Sequence, residues 1–117
     1  MKTILIVEDT ELNIDLITQL LEDDYNLLVA KDGAQSIVIA NEKKPDLILM
    51  DISLPVMDGY EATRKIRETL KSTPIIGLSA HAMQSDVDKA KAAGCTDYMT
   101  KPFDEDALMK KLKDYLG

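Results

Sequence analysis

The chain has 117 residues, 45 % of them hydrophobic, and its 21 acidic and 14 basic side chains leave a net charge of −7. That length suits one domain with a sizeable core and leaves no room for two. The negative field excludes nucleic acid and anionic membrane as expected direct partners, and the short Lys110, Lys111, Lys113 cluster falls where cations complement a helix end.

The first residues, "MKTILIVED", carry an apolar run far too short for a signal peptide or a membrane span, so membrane insertion is not expected. "TILIV" (3–7) reads as the first strand. It is continuous rather than alternating, as strands buried on both faces of a parallel sheet are. It runs directly into Glu8-Asp9. The first helix is predicted over about 10–23, with Leu12, Leu16, Ile17, Leu20 and Leu21 on one face. "NLLVA" (26–30) is the second strand. Asp32-Gly33 introduces a second helix over about 33–43, with Ala34, Ile37 and Val38 inward and Ile39 off the stripe. Pro45 opens the third strand, "DLILM" (46–50), which delivers Asp51 into a loop holding Pro55 and Gly59. A third helix follows over about 58–70, aligning Tyr60, Ile66 and Leu70. Pro74 opens "PIIGLS" (74–79), which ends in Ser79. The fourth helix, about 83–93, spaces Met83, Val87 and Ala90 and closes at Gly94. Cys95 has no second cysteine to pair with, which fits a reducing cytoplasm, and reads as a small buried filler. "DYMT" (97–100) is assigned as the fifth strand from its position and leads into Lys101-Pro102. The last helix, about 104–116, lines up Leu108, Leu112 and Tyr115.

Strand and helix alternate five times, which predicts an α/β fold: a doubly wound parallel sheet with helices on both faces and right-handed crossovers. For five such units the expected arrangement is the flavodoxin-like (βα)5 order 2-1-3-4-5. Its ligand site lies at the carboxyl ends of the strands, between strands 1 and 3. That edge would gather Glu8, Asp9, Asp51, Ser79 and Lys101, with a summed charge of −2. Desolvated carboxylates raise one another's pKa unless something neutralises them, and an all-oxygen set suits Mg2+. Asp9 and Asp51 are expected to bind the ion directly, Glu8 through water, and the backbone carbonyl of Ser53 to complete the protein's share. An Asp51 oxygen left free of the metal can attack phosphorus, with Lys101 neutralising charge and the Ser79 hydroxyl donating to a phosphoryl oxygen.

Each residue also has an ordinary structural reading. Glu8-Asp9 suits a first helical turn. Asp51 suits a turn toward Pro55, Ser79 a helix cap, and Lys101 the open surface. Independent surface residues have no reason to converge on one sheet edge, and that convergence sets the functional reading ahead. His81, two residues past Ser79, reads as a partly exposed residue at a helix entrance rather than a phosphate relay.

Over essentially its whole length the chain resembles the receiver domains of bacterial two-component response regulators. The resemblance rests on "ILIVEDTELN", "PDLILMDISLPVMDGYE", "PIIGLSAHA" and "AGCTDYMTKPF". It implies that Asp51 is the phosphoacceptor, that Glu8 and Asp9 are the acidic pair holding Mg2+, and that Lys101 contacts the phosphoryl group. It makes Ser79 the switch hydroxyl, Tyr98 the switch aromatic and Gly59 the glycine after the loop. It implies a cis Lys101–Pro102 bond, which proline makes accessible, and places Ser53 and His81 at variable positions that tune phosphate lifetime. A histidine kinase or histidine phosphotransfer protein would donate the phosphoryl group. A downstream protein partner would read the face built by helix 4, strand 5 and helix 5. The implied protein is cytoplasmic and phosphorylates and dephosphorylates only itself. It would be a stand-alone receiver spanning 1–117 with no effector domain. "EDTELN" and "AGCTDYMTKPF" also resemble receivers attached to hybrid histidine kinases, and homodimer formation stays open.

Three other classes fit less well. A phosphatase or transferase of the haloacid-dehalogenase type wants a second aspartate two residues after the first, where this chain has Ser53. A flavodoxin-type carrier wants a Gly/Ser/Thr-rich phosphate cradle after the first strand, where this chain has "EDTELN". A pseudo-receiver usually lacks a site residue, and none is lacking here.

Overall fold

Five strands, β1 (Thr3–Val7), β2 (Asn26–Ala30), β3 (Leu47–Asp51), β4 (Ile75–Ser79) and β5 (Asp97–Thr100), alternate with five helices, α1 (Glu11–Leu21), α2 (Gly33–Lys43), α3 (Gly59–Arg67), α4 (Gln84–Ala93) and α5 (Glu105–Leu116). All neighbours pair in parallel in the order β2-β1-β3-β4-β5, the flavodoxin-like arrangement expected from the alternation. The structure is a computed structural model and describes residues 1–52, 54, 57–79, 84–101 and 104–117. The expectations for the Ser53 carbonyl, His81, Met83 and the Lys101–Pro102 bond lie outside the described residues.

β3 and β4 are buried along their full lengths, and β1 from its second residue onward, which is why their sequences run apolar without alternation. Successive side chains still point to opposite faces. Leu5, Val7, Ile48, Met50 and Ile75 share one face with Ala40 of α2, Ala62 and Ile66 of α3 and Ala90 of α4. Ile4, Ile6, Leu47, Leu49, Ile76 and Leu78 share the other with Ile17 and Leu21 of α1 and Leu108 and Leu112 of α5. Truncating one of the buried leucines, isoleucines or Met50 to alanine costs about 2–5 kcal/mol. The edge strands β2 and β5 are more open.

Three helix faces differ from the sequence expectation, α5 only at Tyr115, which is exposed and donates its hydroxyl to Asp97 while Leu108 and Leu112 are buried as expected. In α1 the buried residues are Ile14, Ile17 and Leu21, while Leu12 and Leu16 are 66 % and 56 % exposed. At about 100° per residue, Leu12 lies about 180° from Leu21, so the five expected residues span half the helix and cannot all face inward. In α2 the buried line is Gly33, Ser36 and Ala40, three small residues that let the helix sit close to the sheet. Val38, about 160° from both Ser36 and Ala40, faces solvent, as does Ala34. Ile37 and Ile39 flank the small line and pack against the core, so Ile39 belongs to the stripe after all.

Aspartates cap three helices. Asp32, Asp58 and Asp104 accept from the amides of Gln35, of Glu61 and of both Asp106 and Ala107. The α1 N-cap, Thr10, makes no side-chain capping bond. α3 stops at Arg67, earlier than the spacing suggests, and the chain turns through Leu70, whose amide donates to the Ile66 carbonyl at 2.8 Å. Arg67 then ties three segments together. Its guanidinium donates to the carbonyls of Gly94 (2.8 Å) and Leu70 (2.9 Å) and to the Thr96 hydroxyl (3.1 Å). Gly94 sits at φ 113°, where a side chain is strained, and a Cβ there would lie 2.7 Å from the Arg67 Cγ.

Candidate functional site

The parallel register sets the site. Val7 pairs with Met50, so one step further Glu8 lies beside Asp51 at the carboxyl edge of β1 and β3. The ladder continues through these ends, with the Glu8 amide donating to the Ala30 carbonyl and the Ile52 amide to the Leu78 carbonyl. Glu8 falls two residues after Ile6, and Asp51 two after Leu49. Both carboxylates therefore point to the α1/α5 side of the sheet. Both are buried, at 1 % and 4 % exposure. Asp9, one residue on, is exposed at the mouth. Carboxylate oxygens of Glu8, Asp9 and Asp51 lie within 4.8 Å of one another.

Two residues bring a hydroxyl and a cation to the same edge. Ser79, the last residue of β4, is 3 % exposed. Its carbonyl accepts the Lys101 amide at 2.6 Å, which brings the start of the next loop to the end of β4. The Lys101 ammonium lies 3.1 Å from Glu8 Oε2 and 3.2 Å from Asp51 Oδ2, so one cation is shared by two buried carboxylates. Burial would lower the Lys101 pKa, but the hydrogen bond to Glu8 and the charges of Asp51 and Glu8 outweigh it and raise it. Burial, followed by the Asp51 carboxylate alongside, pushes Glu8 up to about 7, with Asn13 and Lys101 working against the rise. One ammonium does not offset three clustered carboxylates.

The return of the chain is fixed by Gly59. Its amide donates to the Ile52 carbonyl at 3.0 Å. A Cβ on Gly59 would lie 2.4 Å from the Asp51 carbonyl oxygen and 2.7 Å from the Ile52 Cα, so only glycine lets α3 start against the strand that carries Asp51.

All the expected site residues within the described chain thus meet at one edge, except Tyr98. That residue is half-buried on β5 on the opposite side of the sheet, packed against the α2/α3/α4 core. Its backbone amide donates to the Asp97 carboxylate at 2.7 Å. The same Asp97 accepts from Lys111 (2.8 Å) and from the Tyr115 hydroxyl (3.0 Å), which fastens α5 to β5. Lys111 therefore does more than complement a helix end.

One residue of the site was not singled out in the sequence. Asn13, in the first turn of α1, donates its side-chain amide to Glu8 Oε1 at 2.6 Å. The available signal was a polar residue three positions after Thr10, a spacing more often read as a helix cap.

The chain matches the response regulator receiver domain family over residues 4–113. It is 37 % identical over 119 residues to the polar-differentiation response regulator DivK of Brucella anthropi, covering 99 % of this chain and 97 % of DivK. Two solved structures are similar along nearly the whole chain. One is the receiver domain of a sensor histidine kinase of Pseudomonas aeruginosa, which has a magnesium ion coordinated in its active site cleft. It is 39 % identical, with a TM-score of 0.90 and coverage of 97 % of this chain and 96 % of that one. The other is the receiver domain of the Saccharomyces cerevisiae response regulator Ssk1, solved with the histidine phosphotransfer protein Ypd1. It is 34 % identical, with a TM-score of 0.92 and coverage of 97 % and 88 %.

Proposed function

The chain belongs to the response regulator receiver domain family, and from that premise we propose that Asp51 is its phosphoacceptor and that phosphorylation switches a partner-binding face. The observation that carries this reading is the buried Asp51 carboxylate held 3.2 Å from the Lys101 ammonium, in a carboxylate cluster that one cation does not neutralise. The donor is a phosphohistidine on a histidine kinase or phosphotransfer protein, a reading supported by the Ypd1 complex of the similar Ssk1 receiver. An Asp51 oxygen forms a bond to phosphorus as the P–N bond to the donor imidazole breaks. The electron pair leaves with the nitrogen, which takes up a proton. Lys101 moves from sharing two carboxylates to meeting the phosphoryl oxygens, and the Ser79 hydroxyl donates to one of them.

The cluster fits Mg2+. Its donors are all oxygen, they lie within 4.8 Å of one another, and two are buried with a net negative charge. Asp9 and Asp51 would hold the ion directly and Glu8 through water, with the Ser53 carbonyl completing the protein's share. Bound there, Mg2+ supplies neutralising charge for the oxygens of the transferring group.

Output runs through the β4–β5 side. Once Ser79 turns toward the phosphoryl group, Tyr98 turns inward behind it and reshapes the face formed by α4, β5 and α5. A downstream partner that prefers the inward state binds the phosphorylated form more tightly. The protein acts as a switch and modifies only itself. Its single buried thiol suits the cytoplasm, and among the described residues no helix is long and apolar enough to cross a membrane.

The test is intact-mass measurement after incubation with acetyl phosphate. Wild type with Mg2+ gains one phosphoryl group; wild type with chelator and Asp51→Asn with Mg2+ gain none. An equal adduct on Asp51→Asn moves the acceptor elsewhere and overturns the proposal.

A further inference from the structure

We propose that Asn13 is a positioning residue that fixes the Glu8 carboxylate for metal binding, an inference that rests on the acidic cluster being the Mg2+ site of a receiver. Glu8 is fully enclosed, and each of its oxygens accepts a protein hydrogen bond. Oε1 accepts from the Asn13 amide at 2.6 Å and, at the longer distance of 3.4 Å, from Lys101, whose main contact is with Oε2 at 3.1 Å. The two donors differ in permanence. Lys101 also reaches Asp51 at 3.2 Å, so it is shared before any phosphoryl group arrives and is drawn off when one does. Asn13 carries no charge and is anchored by the helix backbone, so it is the contact that persists.

The start of α1 gives a second, independent reason. Thr10 is the N-cap and Asn13 is the third helical residue, the spacing in which two side chains can satisfy each other's exposed amides. Neither position is used that way. Thr10 makes no side-chain capping bond, and Asn13 reaches across to Glu8 instead. Three other helices take an aspartate cap. α1 forgoes side-chain capping, and the side chain that is free to cap holds the buried carboxylate.

Glu8 meets the ion through water, so its orientation sets where that water lies, and losing the support of such an outer partner lowers metal affinity by about 10-fold. The experiment is calorimetric titration of Mg2+ into the metal-free chain, with melting temperature measured in chelator and phosphorylation rate measured at saturating Mg2+. Asn13→Ala is expected to raise the Mg2+ Kd about 10-fold while keeping most of the phosphorylation rate once Mg2+ saturates. Asn13→Leu keeps the branched heavy-atom skeleton without the amide and is expected to do the same, which covers the case in which the alanine variant unfolds. In a Glu8→Ala background the Asn13→Ala change is expected to add nothing, because Asn13 acts only through Glu8. A wild-type Kd in both Asn13 variants overturns the inference, as does a further loss of affinity in the Glu8→Ala background. If wild type binds Mg2+ yet takes no phosphoryl group on Asp51, the proposed function fails while the binding comparison still decides the role of Asn13.

Discussion

Gly59→Ala places a single methyl group where the geometry leaves no room. The added Cβ would sit 2.4 Å from the Asp51 carbonyl oxygen, about 1 Å short of ordinary contact, and 2.7 Å from the Ile52 Cα. Both atoms are backbone, so no flexible side chain can swing away. Two effects oppose each other. Alanine for glycine at a helical position gains up to about 1 kcal/mol. Forcing a methyl into a closed space costs about 1–3 kcal/mol, and here the neighbours that must move are main chain, so the upper end applies. The expected net loss is about 2 kcal/mol, or a fall in Tm of about 6–12 °C for a domain of this size. Relief comes by moving either the start of α3 or the Asp51 backbone by roughly 1 Å, and a misplacement of that size costs about 100-fold in rate at a reacting centre. Urea denaturation and the rate of phosphorylation by acetyl phosphate measure the two consequences. A variant more stable than wild type would show that the close approach does not exist and would refute the reasoning.

Arg67→Ala removes donors to two carbonyls and a hydroxyl at once and is expected to destabilise by about 2–4 kcal/mol in urea; Arg67→Lys should recover little, because an ammonium cannot replace a planar fork. Loss of under 0.5 kcal/mol would contradict the tie between α3 and the β5 approach. Burial favours a higher Asp97 pKa, but the Lys111 ammonium, the Tyr98 amide and the Tyr115 hydroxyl hold it below the usual carboxylate range. Its stabilisation is therefore present above the unfolded value and lost as pH falls through the lower folded one. Lys111→Met is expected to destabilise by about 1 kcal/mol at neutral pH, with the difference shrinking below about pH 4; a difference independent of pH would count against the pair. Burial raises the Cys95 thiol pKa against the opposing effects of Thr63 and Arg67, so a disulfide reagent at pH 8 should modify native protein far more slowly than protein in urea.

The strand order and the meeting of Glu8, Asp9, Asp51, Ser79 and Lys101 were legible because chain order, apolar runs and the parallel rule suffice to place strand ends. The rotation of the helices was not. α1 carries leucines around half its circumference, so periodicity alone could not tell the Ile14–Ile17–Leu21 face from the one bearing Leu12 and Leu16. α2 packs through Gly33, Ser36 and Ala40, and a reading that seeks large apolar residues passes over small ones. Asn13 escaped notice for a related reason. Its partner is five residues back, just past the end of β1, and local spacing pointed to the helix cap instead. Arg67 is the same case at longer range, since its acceptors Gly94 and Thr96 are brought near only by the fold.

The role of Asp51 is tested most directly by reducing the phosphorylated chain with borohydride, which converts an aspartyl phosphate to homoserine, and sequencing the peptides by mass spectrometry. Homoserine is expected at position 51, only after treatment with both acetyl phosphate and Mg2+. Homoserine at Asp9 or at any other aspartate with position 51 unchanged, or a phosphoryl adduct that borohydride leaves intact, would contradict the assignment of Asp51 as the acceptor.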